Sequence, residues 1–286
     1  MARIKLISDG SIDVPQSEVD EYDITVVPPI VHLEGTDYRS GVDITPAEFM
    51  HRIRTAKALA TTSQPSPGQF AEAFEAALAS HDEILYVGIS SALSGTINSA
   101  RQAANLFPDA KITMVDTYSL SAGAGMQVVA AARALAGGAT VDEAVAATKR
   151  AKADTTLYFA VKDLTFLIKG GRVGRAAGAI GQFLNVCPIM TVDPEDGAFS
   201  PLTRVRTFKK TVNTMLANAE GLIGKGGAGR FVVLRGDLDD EANKLTDEIH
   251  RRFDVRWFRD VVPAPTLLAH TGPDALGLVV SRGDWP

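Results

Sequence analysis

The segment EILYVGISSALSGTINSARQAANLFPDAKITMVD, residues 83–116, gives the clearest indication of the fold. EILYVGI resembles a buried strand, SSALSGT a loop, INSARQAANLF a helix and KITMVD a second strand. Strands that alternate with helices of this length are typical of a mostly parallel sheet covered on both faces. The segment therefore predicts an α/β fold.

The same alternation extends over the first half of the chain. Helix starts are indicated by three capping patterns, in which Ser or Thr is followed three residues later by Glu or Gln. They are Thr45–Glu48, Ser66–Gln69 and Thr140–Glu143. Together with the strand-like IKLIS near the N-terminus, they predict a mostly parallel sheet flanked by helices.

The pattern changes where TTLYFAV begins at Thr155. PIMTVDPEDGAFSPL predicts two strands joined by a turn at Asp196-Gly197. Near the C-terminus, TLLAH is interpreted as an apolar strand. We expect two α/β domains, an N-terminal one over residues 1–155 and a C-terminal mixed α/β domain over residues 156–286.

Composition excludes several classes of function. The 286 residues carry a formal net charge of −5, which disfavours nonspecific nucleic-acid binding. The single cysteine, Cys187, excludes an internal disulfide and a cysteine zinc cluster. No apolar run approaches the roughly 20 residues that span a bilayer, and the N-terminal run is too short for a signal peptide. We expect a cytoplasmic protein with no integral membrane segment.

TTSQPSPGQF, residues 61–70, places a cluster of hydroxyl groups directly before a helix. Ser66 serves as the helix cap, which leaves Thr61, Thr62 and Ser63 without an evident structural role. Hydroxyls on a stiff loop beside a helix start suit an anionic or carboxyl group. An ordinary Ser/Thr turn is the alternative.

GISSALSGT, residues 88–96, follows a strand at the edge where parallel sheets bind ligands. Ser94 and Gly95 offer a hydroxyl and a backbone N–H at a helix start, which suits an anion. A serine-rich turn with a helix cap explains the loop equally well. The sequence lacks the serine-hydrolase pattern G-x-S-x-G, the phosphate loop and the dinucleotide fingerprint, so nucleotide binding has no support.

The five histidines show no metal-ligand spacing, and we predict no metal site. His270 stands out because it ends TLLAH directly before a TGP turn. It either binds a ligand there or makes a structural hydrogen bond. Arg172 and Arg206 could clamp a phosphate or carboxylate, although such charges often belong to a solvated face. The glycines that precede Arg172 would permit close approach of a partner.

Several motifs in order resemble the DegV family, and they cover nearly the whole chain. The motifs are SDGSIDVP, VVP, YRSGVDITPAEF, TTSQPSPG, ISSALSGT, KGGRVG, VRT and AHTGPDALGL. SDGSIDVP is similar to that family's T-D-S-T/A-D-L-P, with Gly10 in place of a common serine. The resemblance implies two α/β domains with one acyl chain buried in the protein.

Members of that family are known as fatty-acid-binding proteins and, in many bacteria, as the lipid-carrying subunit of a fatty acid kinase. By resemblance, the carboxylate of a long-chain fatty acid such as palmitate or oleate meets Thr62 and Ser94. Further matching positions near the carboxyl end or the partner-facing surface are Ser63, Gly95, His270, Thr271, Arg172 and Arg206.

The resemblance implies no catalytic residue and no cofactor in this chain, because ATP, magnesium and phosphoryl transfer would belong to the partner kinase. Two alternatives stay open from the residues alone. One is a serine-dependent hydrolase or acyltransferase that uses Ser94 and His270. The other is a ligand sensor that has no kinase partner.

Overall fold

A computed structural model describes residues 2–173 and 187–283. Its strands are β1 Ile4–Asp9, β2 Thr25–Val27, β3 Ile30–Leu33, β4 Thr36–Arg39, β5 Thr61–Ser63, β6 Glu83–Gly88, β7 Lys111–Asp116, β8 Thr155–Val161, β9 Cys187–Val192, β10 Phe199–Val205, β11 Ala228–Arg235, β12 Asp254–Val261 and β13 Ala275–Ser281. Its helices are α1 Gln16–Glu21, α2 Pro46–Ile53, α3 Pro67–Leu78, α4 Thr96–Ala104, α5 Ser121–Ala136, α6 Val141–Asp154, α7 Thr165–Lys169, α8 Lys209–Ile223, α9 Asp239–Arg252 and α10 Pro265–Thr271.

The first sheet is parallel, with strand order β2-β1-β6-β7. Neighbouring residues of a strand point to opposite faces, so Leu85 packs with α5 and α6, whereas Ile84 and Tyr86 pack with α3 and α4. Both faces are therefore buried by helices. This arrangement confirms the predicted parallel sheet.

The second sheet has six strands in the order β10-β9-β8-β13-β11-β12. It is mixed, because only β11 and β12 are parallel and the other neighbours are antiparallel. The predicted hairpin is confirmed: β9 and β10 are joined across Asp196-Gly197, and Gly197 has a φ of 74°. Helices α8 and α9 cover one face of this sheet, and α5 packs on the other.

A third sheet, with order β4-β3-β5, is small and antiparallel. Its apolar residues Val31 and Leu33 pack with α2 and α10. The hydroxyl cluster before α3 is consequently not a loop but the edge strand β5, because Thr62 pairs with Val31.

The strand interpretation of TLLAH is wrong. These residues belong to helix α10, which begins with Pro265 at its first turn and ends before Gly272, whose φ is 74°. Proline suits the first helical turn, and glycine in this conformation ends a helix readily. Leu268 and Ala269 are buried against β3 and α2, which favours the helix over a strand.

Candidate ligand-binding site

A cleft lies where β5, the loop after β6 and α10 come together. We call it the cleft. Its lining residues are Ser11, Thr62, Ile89, Leu93, Ser94, Leu120, Arg172, Phe199, Thr266, Leu267, His270 and Thr271. The structure thus brings five of the residues predicted from the sequence to one place. They are Thr62, Ser94, Arg172, His270 and Thr271.

Thr62 and His270 are in direct contact across the cleft. The Thr62 Oγ1 atom lies 2.8 Å from Nε2 of His270, although the residues are 208 positions apart in sequence. Strand alternation determines which hydroxyl of β5 turns inward: Thr61 and Ser63 are exposed, whereas Thr62 is partly buried. This geometry selects Thr62 among the three candidate hydroxyls.

The His270 imidazole is held neutral. Its pKa is lowered from 6.5 to about 4, first because burial penalises the charged form and second because the Arg172 guanidinium repels a further positive charge. At pH 7 the ring therefore offers one donor and one acceptor nitrogen. Gly170 lies directly beside Nδ1 of His270, and a Cβ there would overlap the ring.

Arg172 also lines the cleft, near the imidazole of His270. Its Nη1 donates to the carbonyl of Gly170 at 2.5 Å, which leaves further guanidinium N–H groups. A permanently charged donor beside a neutral imidazole suits an anionic head group.

Ser94 is held by its own helix start. Its Oγ lies 2.7 Å from Oγ1 of Thr96 and accepts the Thr96 N–H at 3.3 Å. Gly95, the residue before α4, leaves room for the side chain of Gln64, because a Cβ at Gly95 would overlap the amide.

Two supporting residues were not predicted from the sequence. Gln64 donates from Nε2 to Oγ of Ser99 at 2.8 Å and so ties the segment after β5 to α4. Asp9, fully buried at the end of β1, accepts from the Tyr86 hydroxyl at 2.9 Å and from the Ile89 N–H at 3.0 Å. Burial raises the pKa of Asp9, and these hydrogen bonds oppose that rise. The position of Asp9 within SDGSIDVP was the available signal.

The cleft adjoins an apolar pocket. We call this pocket the apolar cavity. Leu120, Phe199, Leu267 and Thr271 line both spaces. The remaining lining residues of this apolar cavity are Ser121, Leu157, Phe159, Leu234, Pro263, Ala275, Leu276 and Gly277. A polar cleft beside an apolar cavity suits an amphiphilic molecule.

On its outer side the cleft adjoins a wide surface depression, which we call the vestibule. Thr62, Arg172 and His270 line both spaces, and Lys57 and Lys169 lie in the vestibule as well. The remaining lining residues of the vestibule are Ala56, Ala58, Leu59, Ala60, Thr61, Phe166 and Gly170. The polar side of the cleft, formed by Thr62, Arg172 and His270, therefore faces a basic surface.

Ser63 and Arg206 do not line the cleft. The Ser63 Oγ lies 2.7 Å from Nε2 of His32, whose Nδ1 lies 2.6 Å from Oδ1 of Asp37, on the exposed side of β5. Arg206 is exposed just after β10.

Ser94 and His270 do not form a nucleophile–base pair in this structure, because each is hydrogen-bonded to a different residue.

In the described part of the chain, no group of three His, Cys, Asp or Glu side chains is placed to hold a metal ion. Within those same residues, no helix has the length and apolar character needed to cross a bilayer. The segment 174–186, which includes most of the predicted glycine-rich stretch, lies outside the described residues.

The protein has an α/β fold in which a polar cleft lies beside an apolar pocket, an arrangement typical of sites for amphiphilic molecules. A family model described as "Uncharacterised protein, DegV family" matches residues 3–283. A DegV domain-containing protein of Deinococcus radiodurans is 32% identical over 279 residues, which are 97% of this chain and 98% of that protein. The chain belongs to the DegV family.

Solved structures of this family have the same fold. A DegV family protein from Thermus thermophilus, described by its fatty acid binding, is 34% identical with a TM-score of 0.90, over 98% of this chain and 100% of that chain. A stearic acid-binding protein from Eubacterium ventriosum is 27% identical with a TM-score of 0.87, over 98% of each chain. The predicted fold class and the family resemblance are both confirmed.

Proposed function

We propose that this protein binds one long-chain fatty acid, with the carboxylate in the cleft and the acyl chain in the apolar cavity. The observation that carries the proposal is that the polar cleft and the apolar cavity are neighbours and share Leu120, Phe199, Leu267 and Thr271 in their walls. Burial of each methylene contributes about 0.8 kcal/mol, so a chain of about 16 carbons supplies most of the affinity. Fatty acid binding by the relatives from Thermus thermophilus and Eubacterium ventriosum supports this assignment.

The head-group residues would fix the orientation of the ligand. A neutral His270 can donate from Nε2 to Oγ1 of Thr62, which leaves the Thr62 hydroxyl proton for the carboxylate. Ser94 supplies a second hydroxyl, and Arg172 supplies the positive charge that offsets desolvation of the carboxylate. The Ser94 hydroxyl contacts Thr96 rather than a base, so we assign these groups to holding the ligand. The protein then acts as a carrier and not as an enzyme.

We further propose that the carrier presents the carboxylate through the vestibule to a partner kinase, which phosphorylates it with ATP to an acyl phosphate. Lys57, Lys169 and Arg172 give the vestibule the positive charge that an acyl phosphate or an acidic kinase surface would require. ATP and magnesium would be bound by the kinase. This role places the protein in the cytoplasm, with a fatty acid as its only bound ligand.

Ligand binding is tested with delipidated protein. Palmitate or oleate should raise the melting temperature by mass action, whereas ATP and NAD should not. Replacing both Thr62 and Ser94 by Ala should weaken binding by about 5- to 100-fold, because each hydrogen bond contributes about 0.5–1.5 kcal/mol.

Protein that has not been delipidated supplies an independent check. Native mass spectrometry of protein purified from bacteria should show an adduct of fatty-acid mass on wild-type protein. Stabilisation by ATP without stabilisation by any fatty acid would refute the proposal. Stoichiometric labelling of Ser94 by a fluorophosphonate would favour the hydrolase instead.

A further inference from the structure

Thr266 lines the cleft and carries an unused hydroxyl group. Its side chain is 8% exposed, and within the described residues its Oγ1 atom is buried with no hydrogen-bond partner. Buried polar groups in folded proteins almost always have a partner. Since Thr266 lines the cleft, a ligand in the cleft is the natural source of that partner.

The position of Thr266 on α10 is fixed by its surroundings. Pro265 occupies the first helical turn, and the Thr266 N–H donates to Oγ of Ser40 at 3.3 Å. His270 follows four residues later, so both side chains lie on the same face of the helix. About one helical turn separates them, roughly 6 Å along the axis.

That separation assigns the two residues to different parts of a ligand. A carboxylate beside the Thr62–His270 pair has further donors in Ser94 and Arg172. Its two oxygens share one carbon atom, so they lie much closer together than Thr266 and His270 do along the helix. The Thr266 hydroxyl is therefore suited to a second polar atom, a short distance along the chain from the carboxylate.

We propose that the cleft selects a long-chain fatty acid with a hydroxyl substituent at carbon 2 or carbon 3, and that Thr266 determines this specificity. A hydroxyl both donates and accepts hydrogen bonds, as does the Thr266 side chain, so the two groups satisfy each other. An unsubstituted acid leaves the Thr266 hydroxyl unpaired. The proposal rests on the proposed fatty acid binding and adds the class of acyl chain.

The experiment uses delipidated protein and compares hexadecanoate with 2-hydroxyhexadecanoate and 3-hydroxyhexadecanoate. Both enantiomers of each hydroxy acid are tested. Dissociation constants are measured by titration calorimetry. Wild-type protein should bind one hydroxy acid about 3- to 10-fold more tightly than hexadecanoate, the range expected for one hydrogen bond. Thr266→Val, which keeps the shape but removes the hydroxyl, should abolish that preference, so that the hydroxy acid and hexadecanoate bind with equal affinity.

Thr246→Val is the matched control. Its Oγ1 is also buried without a partner in the described residues, but it lies on α9 and does not line the cleft. This variant should keep the preference for the hydroxy acid. Melting temperatures of both variants separate a folding effect from a binding effect.

Other outcomes overturn the proposal in distinguishable ways. Equal affinities of wild-type protein for all three acids would exclude hydroxyl selection and leave fatty acid binding intact. Equal weakening of all three by Thr266→Val would show that Thr266 contacts the carboxylate. Binding of none of the acids would refute the proposed function itself.

Discussion

Burial keeps two ionisable side chains near the ligand site closer to their neutral forms. It lowers the pKa of His270 to about 4 and raises the pKa of Asp13 from 3.8 to about 6. Asp13 accepts the Ser121 hydroxyl at 2.5 Å and the Ala264 N–H at 3.0 Å. Since Ser121 lines the apolar cavity, the Asp13 carboxyl links that cavity to the start of α10.

Asp13 should make stability depend on pH. Its pKa is higher in the folded than in the unfolded state, so its contribution is fully present below about pH 4 and is lost as the pH rises through about 6. Asp13→Asn should therefore raise the free energy of unfolding relative to wild type at pH 8, by about 1–3 kcal/mol. Urea unfolding at pH 4 and pH 8 measures this, and an equal effect at both values would contradict it.

The short strand β5 depends on contacts outside the sheet backbone. On its exposed side, Ser63 bonds to His32, and His32 bonds to Asp37 of β4, so the three side chains tie the three strands together. The order of these hydrogen bonds is that of a serine hydrolase triad, but Ser63 lines neither the cleft nor the apolar cavity. Its effect on function would be indirect, through the position of Thr62.

His32→Ala should loosen β5 and weaken fatty acid binding about 2- to 10-fold, the loss expected for one misplaced hydrogen bond at Thr62. Arg39→Ala is the control. Arg39 lies on β4 and forms an exposed ion pair with Asp43, and its replacement removes no hydrogen bond of the Ser63 side chain. Titration with palmitate should show a change in the first variant only. Unchanged affinity in His32→Ala would remove the indirect role.

Helix starts were predictable because their causes are local. Ser66 and Thr140 each accept the N–H of the residue three positions later, and the partner side chain bonds back, as the capping patterns predict. β5 and α10 were not predictable in the same way, since pairing with β3 and burial against α2 decide their structure. Thr266 was missed for the same reason: only the folded chain shows its hydroxyl in the cleft.

At the level of the complete chain, local patterns pointed to separate polar segments, and the family resemblance selected Thr62 and Ser94 within them and brought the segments together as one site. No periodicity connects Thr62 with His270, which meet through the packing of α10 on the third sheet. The division into residues 1–155 and 156–286 remains a proposal. It coincides with the start of β8, the first strand of the six-stranded sheet in chain order.

Arg172 and Arg206 should separate lipid binding from transfer to a kinase. Arg206 is exposed outside the cleft, so Arg206→Ala should leave palmitate affinity unchanged but lower acyl phosphate formation with the partner kinase about 10-fold or more, as for a lost charged contact. Arg172→Ala should lower both, because Arg172 lines the cleft and the vestibule. Lysine at either position should restore only part of the kinase rate, since it lacks the bidentate fork.

Arg256→Ala is the control for surface charge, because Arg256 forms an exposed ion pair with Asp254 at the far edge of the six-stranded sheet. Coupled kinase rate, palmitate affinity and melting temperature are measured on the same preparations. A full kinase rate in both Arg172→Ala and Arg206→Ala would exclude the docking role. A fall in melting temperature alone would assign the two arginines to internal contacts.

Helix α5 packs on both large sheets, and residues 121–132 of this helix are buried. Within the described residues, swinging one sheet away from the other would remove packing from α5 and expose apolar surface to water. We therefore expect the proposed fatty acid to enter and leave through small local rearrangements around the cleft. The two large sheets would then keep their relative position during binding, and only the residues around the cleft would move.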